Sequence, residues 1–271
     1  MEMRIFSWNV NSLRSALEKG FKEWISEEKP DIVCLQEVRA SLDKLHAIEP
    51  LFPEYKILWN PAEKSGYAGT AILSRFEPLS FETGLAGNPD PEGRSITADF
   101  GEFLVGSFYA PNAIPGTEKI TKKLRWMEEF TNHLATKKGK PFFLCGDFNI
   151  APTILDSQNT PHPRGMNGCT KEEREALEVI IKEHKLHDPM RNAAGSSLLS
   201  SWWACSPALR SMNNGFRYDY ILLQTAFQTW ITDQKIHHER GGSDHCPVSI
   251  AANIPTSNLK KARGGGQASL L

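Results

Sequence analysis

The sequence predicts a single α/β domain whose strands run in mixed directions and pack as two sheets. Three observations carry that expectation. Short apolar runs bounded by Pro, Gly or Asn recur along the chain and outnumber the helical segments. Segments with helical spacing intervene between several of these runs, which is the pattern of α/β rather than all-β chains. No linker and no repeat interrupts the chain before residue 255. The domain is therefore expected to span residues 1–254. Residues 255–271, which include Lys260, Lys261, Arg263 and the run Gly264 to Gly266, lack an apolar pattern and are expected to form a disordered tail.

Composition sets the outer limits. With 271 residues, 40% hydrophobic and 23% charged, the chain is of ordinary globular composition and long enough to bury a substantial core. A formal net charge of -1 gives no global basic field, although a local basic face is compatible with it. The five cysteines, Cys34, Cys145, Cys169, Cys205 and Cys246, form no C-x-x-C pair. They read as buried reduced thiols rather than a disulfide framework or a zinc site. The start MEMRIFSWNV has no signal-peptide core, and no apolar run reaches membrane-spanning length. A cytoplasmic protein with no membrane contact is expected.

In chain order, Met3 to Trp8 is a strand that ends in Asn9-Val10-Asn11. Leu17, Phe21, Trp24 and Ile25 then share one face of a helix that Pro30 ends. Asp31 to Leu35 is a buried strand that delivers Gln36-Glu37, with Arg39 just beyond. Residues 55–60 form a short strand, Lys64 to Gly69 a glycine-bearing turn with Tyr67 at its tip, and Thr70 to Ser74 another strand. Short strands separated by turn signals continue from Leu79, and the strongest, Phe103 to Tyr109, ends in Tyr109-Ala110-Pro111-Asn112. Thr117 caps a helix running to Thr136, with Ile120, Leu124, Met127, Thr131 and Leu134 along one face.

The apolar run Phe142 to Cys145 follows, and Gly146 ends it. Asp147 and Asn149 lie two residues apart, so an extended chain points both the same way. After an irregular stretch, Thr170 and Glu173 form a capping box that opens a helix carrying Leu177, Ile180 and Ile181. Ser200 to Phe216 reads as a loop, Arg217 to Leu223 as a strand bearing Asp219, Gly241 to His245 as a loop, and Cys246 to Ala252 as the closing strand.

Strand ends thus supply Asn9, Glu37, Tyr109, Asp147, Asn149, Asp219, Asp244 and His245. Oxygen donors without a cysteine cluster suit a hard cation such as Mg²⁺ or Mn²⁺. One histidine among several acids argues against a zinc hydrolase. The chain has no G-x-x-x-x-G-K-[ST] loop and no G-x-S-x-G elbow. Metal-assisted attack of water on a phosphodiester uses the parts that are present. Each residue also has a plainer reading. Asn9 and Asn11 serve as turn residues elsewhere, and Tyr109 as a half-buried aromatic. Asp219 has Arg217 nearby as a structural partner, one of Trp202 and Trp203 is expected in the core, and Arg39 and Lys64 are ordinary surface types.

The segments SWNVNSLR, CLQEVR, GYAGTA, YAPN, GDFNIAP, GFRYDYIL and SDHCPV occur in this order between Met3 and Ala252. In this the chain resembles the exonuclease III family of apurinic/apyrimidinic endonucleases. S-D-H and G-D-x-N are shared with a wider superfamily of deoxyribonucleases, sphingomyelinases and inositol phosphatases. WNVNSLR, YAPN, TKEER and the SWW to GFRYDY segment are the more specific signals. The resemblance implies a four-layer sandwich, two packed mixed β-sheets flanked by helices. It implies Mg²⁺, with Mn²⁺ as a substitute, held chiefly by Glu37 with Asn9 and Asp244 nearby. Asp147 would orient or deprotonate the attacking water and Asn149 would help to place it. His245, oriented by Asp219, would contact the scissile phosphate, and Tyr109 and Asn112 would bind phosphate oxygens. Asp147 and a Tyr109 phenolate both stand as candidate bases, and one metal and two remain alternatives.

The implied partner is double-stranded DNA carrying abasic sites or blocked 3′ ends, acted on by a monomer, with a nucleoid-associated cytoplasmic location. The implied pocket for a flipped abasic sugar falls on Trp202, Phe216 and Tyr218. Phe216 stands where many relatives have Trp, Tyr218 where a smaller aliphatic is common, and Asn11 where some carry an acid. Arg39, Tyr67, Lys64, Arg164 and Arg210 would contact the DNA backbone. Two other classes stay in view: a phosphatase or phosphodiesterase of the same superfamily acting on lipid or inositol phosphates, and a catalytically silent DNA-binding module. The set of acids gathered near a phosphate argues against the last.

Overall fold

Alternating side chains along the strands decide how the layers stack. The computed structural model describes residues 1–157, 166–204, 207–256 and 258–262. Its strands are β1 (Glu2–Asn9), β2 (Ile32–Gln36), β3 (Lys56–Asn60), β4 (Thr70–Ser74), β5 (Ser80–Thr83), β6 (Ser95–Asp99), β7 (Leu104–Tyr109), β8 (Phe142–Asp147), β9 (Leu186–His187), β10 (Asp219–Gln224), β11 (Ile231–Ile236) and β12 (Val248–Asn253). The helices are α1 (Leu13–Glu18), α2 (Phe21–Glu28), α3 (Leu42–His46), α4 (Glu118–Thr136), α5 (Lys171–Glu183), α6 (Pro189–Ala194) and α7 (Pro207–Ser211).

Two six-stranded sheets result, ordered β11-β12-β1-β2-β4-β3 and β5-β6-β7-β8-β10-β9. Both are mixed, because β1 runs parallel to β2 and β7 parallel to β8 while the other pairs are antiparallel. In β8, Phe143 and Cys145 face the space between the sheets, where they join Ile5, Cys34, Ile72, Val105, Ile221 and Ile250. Phe142 and Leu144 face outward to Trp126, Phe130, Leu177 and Ile180 of α4 and α5. On the other sheet Phe6 and Trp8 face outward to Phe21, Trp24 and Ile25 of α2. The result is the helix–sheet–sheet–helix sandwich.

Several sequence expectations shift. The single helix through Leu17 and Ile25 is two helices, because Gly20 takes a left-handed φ of 88° between them. The buried side of α4 is Lys123, Trp126, Met127, Phe130, His133 and Leu134. Ile120, Leu124 and Thr131 are only half-buried, since two polar side chains with interior partners take the inner positions. The loop from Ser200 contains α7, and α3, α6, β9 and β11 gave no clear periodic signal because they are short or exposed. The expected disordered tail is docked in part. Leu259 packs against the inter-sheet core, Lys261 bridges to Phe76, and Ala262 N–H donates to Arg75 O. The described cysteines, Cys34, Cys145, Cys169 and Cys246, are buried and free, and Cys205 lies outside the described residues.

Candidate active site

Strand direction collects the polar ends. β1 and β2 are parallel and finish side by side at Asn9 and Gln36. β7 and β8 are parallel and finish at Tyr109 and Asp147, which are register partners. β10 is antiparallel to β8, so its first residue, Asp219, pairs with Asp147. Tyr109, Asp147 and Asp219 therefore lie level across three neighbouring strands. The two sheets are tied near this end by Gln36 Nε2, which donates to Ser107 Oγ at 2.9 Å. Beyond the strands the backbone turns sharply. Asn11, Glu37, Arg39 and Asn149 all adopt left-handed φ values, of 44°, 53°, 50° and 52°. Such conformations cost on the order of 1 kcal/mol or more each and persist only where surrounding contacts hold them.

The side chains form one network. Asn9 Nδ2 donates to Glu37 Oε1 and to Asp147 Oδ2, each at 2.9 Å, and so joins the two sheets. Asp147 Oδ1 accepts the Asn149 N–H at 2.8 Å, and Asn149 Nδ2 reaches Ala110 O at 3.0 Å and Asp147 Oδ2 at 3.3 Å. His245 Nδ1 lies 2.8 Å from Asp219 Oδ2, and its Nε2 lies 3.7 Å from Asp147 Oδ2. Ser201 Oγ donates to Asp219 Oδ2 at 2.6 Å and accepts the Tyr218 and Asp219 N–H groups. Trp8 Nε1 donates to the His245 carbonyl, and Ser243 Oγ to the Asn9 carbonyl.

Burial and charge set the protonation states. Burial pushes the Asp147 carboxyl up to about 7, with Asp219 adding to the rise and His245 opposing it. Burial alone would lower His245, but Asp219 first and then Asp147 carry it up to about 10. Tyr109 is pushed well above its ordinary range by burial and by the Glu37 and Asp147 carboxylates. Burial would raise Asp244, yet His245 and the Trp202 and Asn11 donors hold it below the usual carboxylate range.

The expected metal residues fare differently from one another. Asn9 turns its amide nitrogen to the two carboxylates, and its Oδ1 accepts the Asn11 N–H at 3.0 Å. Asp244 Oδ1 accepts from Asn11 Nδ2 at 2.8 Å and its Oδ2 from Trp202 Nε1 at 3.0 Å. Glu37 Oε2 ion-pairs with Arg39 but is buried without a hydrogen bond, as is Asp219 Oδ1. A buried carboxylate oxygen without a donor, as Asp219 Oδ1 is here, is what a hard divalent cation satisfies. Ligand atoms of Asp147, Asp219 and His245 also lie within 4.8 Å of one another, so this acidic and histidine group can hold a metal.

The expected substrate residues divide as well. Trp202, Phe216 and Tyr218 form a three-ring cluster with Ala151 and Cys169 beside His245. Phe216 and Tyr218 are stacked at 5.5 Å, and Tyr218 Oη donates to Asn167 O at 2.9 Å. Trp203 is a core residue. Asn112 and Tyr67 are exposed, and Arg94 donates to the Tyr67 hydroxyl at 3.0 Å. Lys64 Nζ lies 5.9 Å from the centre of the Tyr67 ring. Arg39 is engaged with Glu37. Arg210, expected on the DNA backbone, instead donates to the carbonyls of His238, Arg240 and Ser243, which pins the loop carrying Asp244. Arg164 lies outside the described residues. Asp219 does not pair with Arg217, whose guanidinium is held by Asp156 and Asp188. Sequence reasoning missed Ser201, Trp8 and Arg94. Ser201 and Trp8 carried a signal, the one directly before the Trp202-Trp203 pair and the other opening WNVNSLR.

Comparison with known proteins agrees with this geometry. Residues 6–245 match the Endonuclease/Exonuclease/phosphatase family. The chain is 36% identical to an exodeoxyribonuclease of Bacillus subtilis, over 93% of this chain and all of that protein. It is also 36% identical to the DNA repair nuclease APEX1 of Danio rerio, over 92% of this chain and 81% of that protein. Among solved structures, a 3′-5′ exonuclease of Neisseria meningitidis superimposes with a TM-score of 0.85 at 27% identity, covering 93% of this chain and 100% of that one. An AP endonuclease of Archaeoglobus fulgidus gives 0.82 at 26% identity, with 93% and 100% covered. The chain belongs to the endonuclease/exonuclease/phosphatase family, in the branch of these exodeoxyribonucleases and AP endonucleases.

Proposed function

We propose that this chain incises duplex DNA 5′ to abasic sites, leaving a 3′-hydroxyl, and that it also trims blocked 3′ ends and degrades 3′ to 5′. One observation carries the reading. A buried carboxylate–imidazole network, Asp147, His245 and Asp219, stands beside a three-ring cluster and is joined through Asn9 to Glu37. Glu37, with Asn9 and Asp244 flanking, would hold Mg²⁺, or Mn²⁺ as a substitute, and the bound cation would supply Lewis-acid polarisation of the phosphate.

The chain's own residues do the rest. Asp147, carried up to about 7, accepts a proton from water near neutral pH, and the Asn149 amide beside it fixes that water's position. Tyr109 remains a phenol and donates to a phosphate oxygen, because its proton is held more tightly than usual. His245 stays cationic and directs Nε2 at the charge that builds on the phosphate oxygens, while Asp219 fixes its ring through Nδ1. The aromatic cluster receives the flipped sugar, and exposed Asn112 and Tyr67 hold the backbone. The enzyme acts as a monomer.

The test is a cleavage panel of abasic, nicked, 3′-phosphate and uracil-containing duplexes, with Mg²⁺ and with EDTA. Incision of the abasic duplex that EDTA abolishes is the expected result. An uncut abasic duplex in Mg²⁺, or equal cutting in EDTA, overturns the reading. Hydrolysis of inositol phosphates in place of DNA would transfer it to another branch of the family.

A further inference from the structure

A lysine and a glutamate lie buried behind the site, with no part in the chemistry above. Lys123 on α4 and Glu173 in the first turn of α5 are each 0% exposed. Lys123 Nζ donates to Glu173 Oε1 and to the Asn149 carbonyl, both at 2.7 Å. Glu173 Oε1 also accepts the Gly168 N–H at 3.2 Å, while its Oε2 accepts from Thr170 N and Oγ1 at 3.1 and 2.8 Å. Gly168 in turn accepts the Ala151 N–H through its carbonyl at 2.8 Å. One ion pair therefore touches both arms that approach the site, the Asp147–Ala151 turn and the Asn167–Thr170 segment.

The two arms meet with no slack. A Cβ on Gly168 would lie 2.3 Å from Asn149 O and 2.9 Å from the Tyr218 ring, and Gly168 has a φ of +72° that favours glycine. Asn149 has a left-handed φ of 52°, which directs its carbonyl inward to α4 and its side-chain amide to Asp147. A buried carbonyl there needs a donor, but a neutral donor would suffice. A buried ion pair is seldom more stabilising than a well-packed apolar pair of similar volume. Stability alone does not account for placing two charges here. What the ammonium adds is direction: it has two fixed acceptors, the Asn149 carbonyl of one arm and the Glu173 carboxylate that holds the other through Gly168 and Thr170.

We propose that Lys123 and Glu173 are a positioning pair, which sets the Asn149 amide against Asp147 and the Gly168 wall against the Tyr218 ring in one step. This rests on the reading of Asn149 as part of the phosphodiester site. Lys123 acts through the Asn149 peptide, and Glu173 acts through Lys123 and Gly168. Neither touches substrate.

The experiment compares Lys123→Met, Glu173→Gln, the double variant Lys123→Met/Glu173→Met, and Asn149→Ala in the full chain. Turnover is measured on abasic and 3′-recessed duplexes in Mg²⁺, at a temperature where circular dichroism shows each variant folded. Lys123→Met is expected to lower kcat about 10- to 100-fold, with KM changed by less than about threefold, because a displacement near 1 Å at a positioned group costs that order. The double variant is expected to regain thermal stability without regaining kcat. Hydrogen exchange should speed up in residues 147–151 and 167–169 together. If Lys123→Met does not fold, Glu173→Gln carries the same test, since its amide oxygen keeps the capping-box acceptor for Thr170 while its amide nitrogen removes the acceptor of Lys123. Wild-type kcat in a folded Lys123→Met or Glu173→Gln, or kcat restored in the double variant, overturns the pair as a positioning device. Wild-type turnover in Asn149→Ala instead sinks the site reading beneath it.

Discussion

The charge on His245 depends on Asp219, and replacing that carboxylate by an amide isolates the dependence. Asp219 is 0% exposed, and its Oδ2 lies 2.8 Å from His245 Nδ1. His245 stands at about 10 against an ordinary 6.5. At about 1.4 kcal/mol per unit, that difference corresponds to roughly 4 to 5 kcal/mol of preference for the cation. Asp219 is the foremost upward influence and Asp147 the next, so Asp219→Asn removes the larger share while Asp147, 3.7 Å from Nε2, retains the remainder. Shape and the Ser201 hydrogen bond survive, since an amide oxygen accepts as a carboxylate does.

Two outcomes follow for the variant. The alkaline limb of the kcat/KM profile moves from near 10 down by two units or more. At pH 8 the variant then loses about twofold if the limb falls by two units and about 30-fold if it falls to the ordinary 6.5, as the fraction of His245 left cationic dictates. Stability shifts with the same sign. A raised folded-state value contributes stability that is fully present below 6.5 and is lost as pH rises through about 10, so the variant's stability should vary less across that window. The assays are a pH–rate series on the abasic duplex and ¹⁵N NMR titration of the His245 ring. An alkaline limb left in place, or a ring that still titrates near 10 in the variant, would refute the reasoning.

Three further expectations are independent of that one. Tyr109→Phe should lower kcat about 10- to 100-fold while leaving both pH limbs where they are, because the phenol acts as a donor and not as a base; a lost acid-side limb would identify it as the base instead. His133, whose side chain is fully buried and whose Nδ1 accepts the Ala86 N–H at 3.0 Å, is held down to about 4 by burial. Its neutral form therefore contributes up to about 3 kcal/mol that is present above pH 6.5 and lost as pH falls through 4, and urea midpoints of His133→Gln should show a flatter acid limb than wild type. Asp156, 0% exposed, accepts from Arg217 Nε at 2.6 Å and from Arg191 at 2.5 Å, so Asp156→Ala should cost about 3–5 kcal/mol in chemical unfolding by leaving Arg217 buried without its main partner. A loss under 1 kcal/mol would show that Asp188 alone can hold the guanidinium.

What could be read from sequence was what periodicity and strand order determine. β4 and α4 were placed to within a residue, because their apolar runs and the Thr117 cap lie in the local sequence. The assembly of Asn9, Glu37, Tyr109, Asp147, Asp219 and His245 at one end was legible for the same reason. Asn9, Tyr109 and Asp147 close β1, β7 and β8 and Glu37 follows β2, while Asp219 opens β10 and His245 precedes β12, strands antiparallel to β8 and β1, so all are brought to the same end. The break at Gly20 was not legible, because Leu17 and Phe21 fit one helix as well as two. The contacts of Arg210 were not legible either, because a guanidinium looks the same in sequence whether it meets phosphate or three carbonyls.

The inner face of α4 shows why the supports of a site are harder to see than the site itself. Lys123 and His133 stand at positions where periodicity asks for apolar residues, so a hydrophobic reading rotates the helix toward Ile120 and Leu124. Each polar exception is explained only by a partner distant in sequence. Lys123 meets Glu173 fifty residues on, and His133 meets Ala86 forty-seven residues back. Catalytic groups leave a local mark because they follow strands. Their supports leave none, because a support is defined by what it touches. The departures of α4 from its expected face are therefore places to look for function, and Lys123 touches the carbonyl of a residue that contacts Asp147.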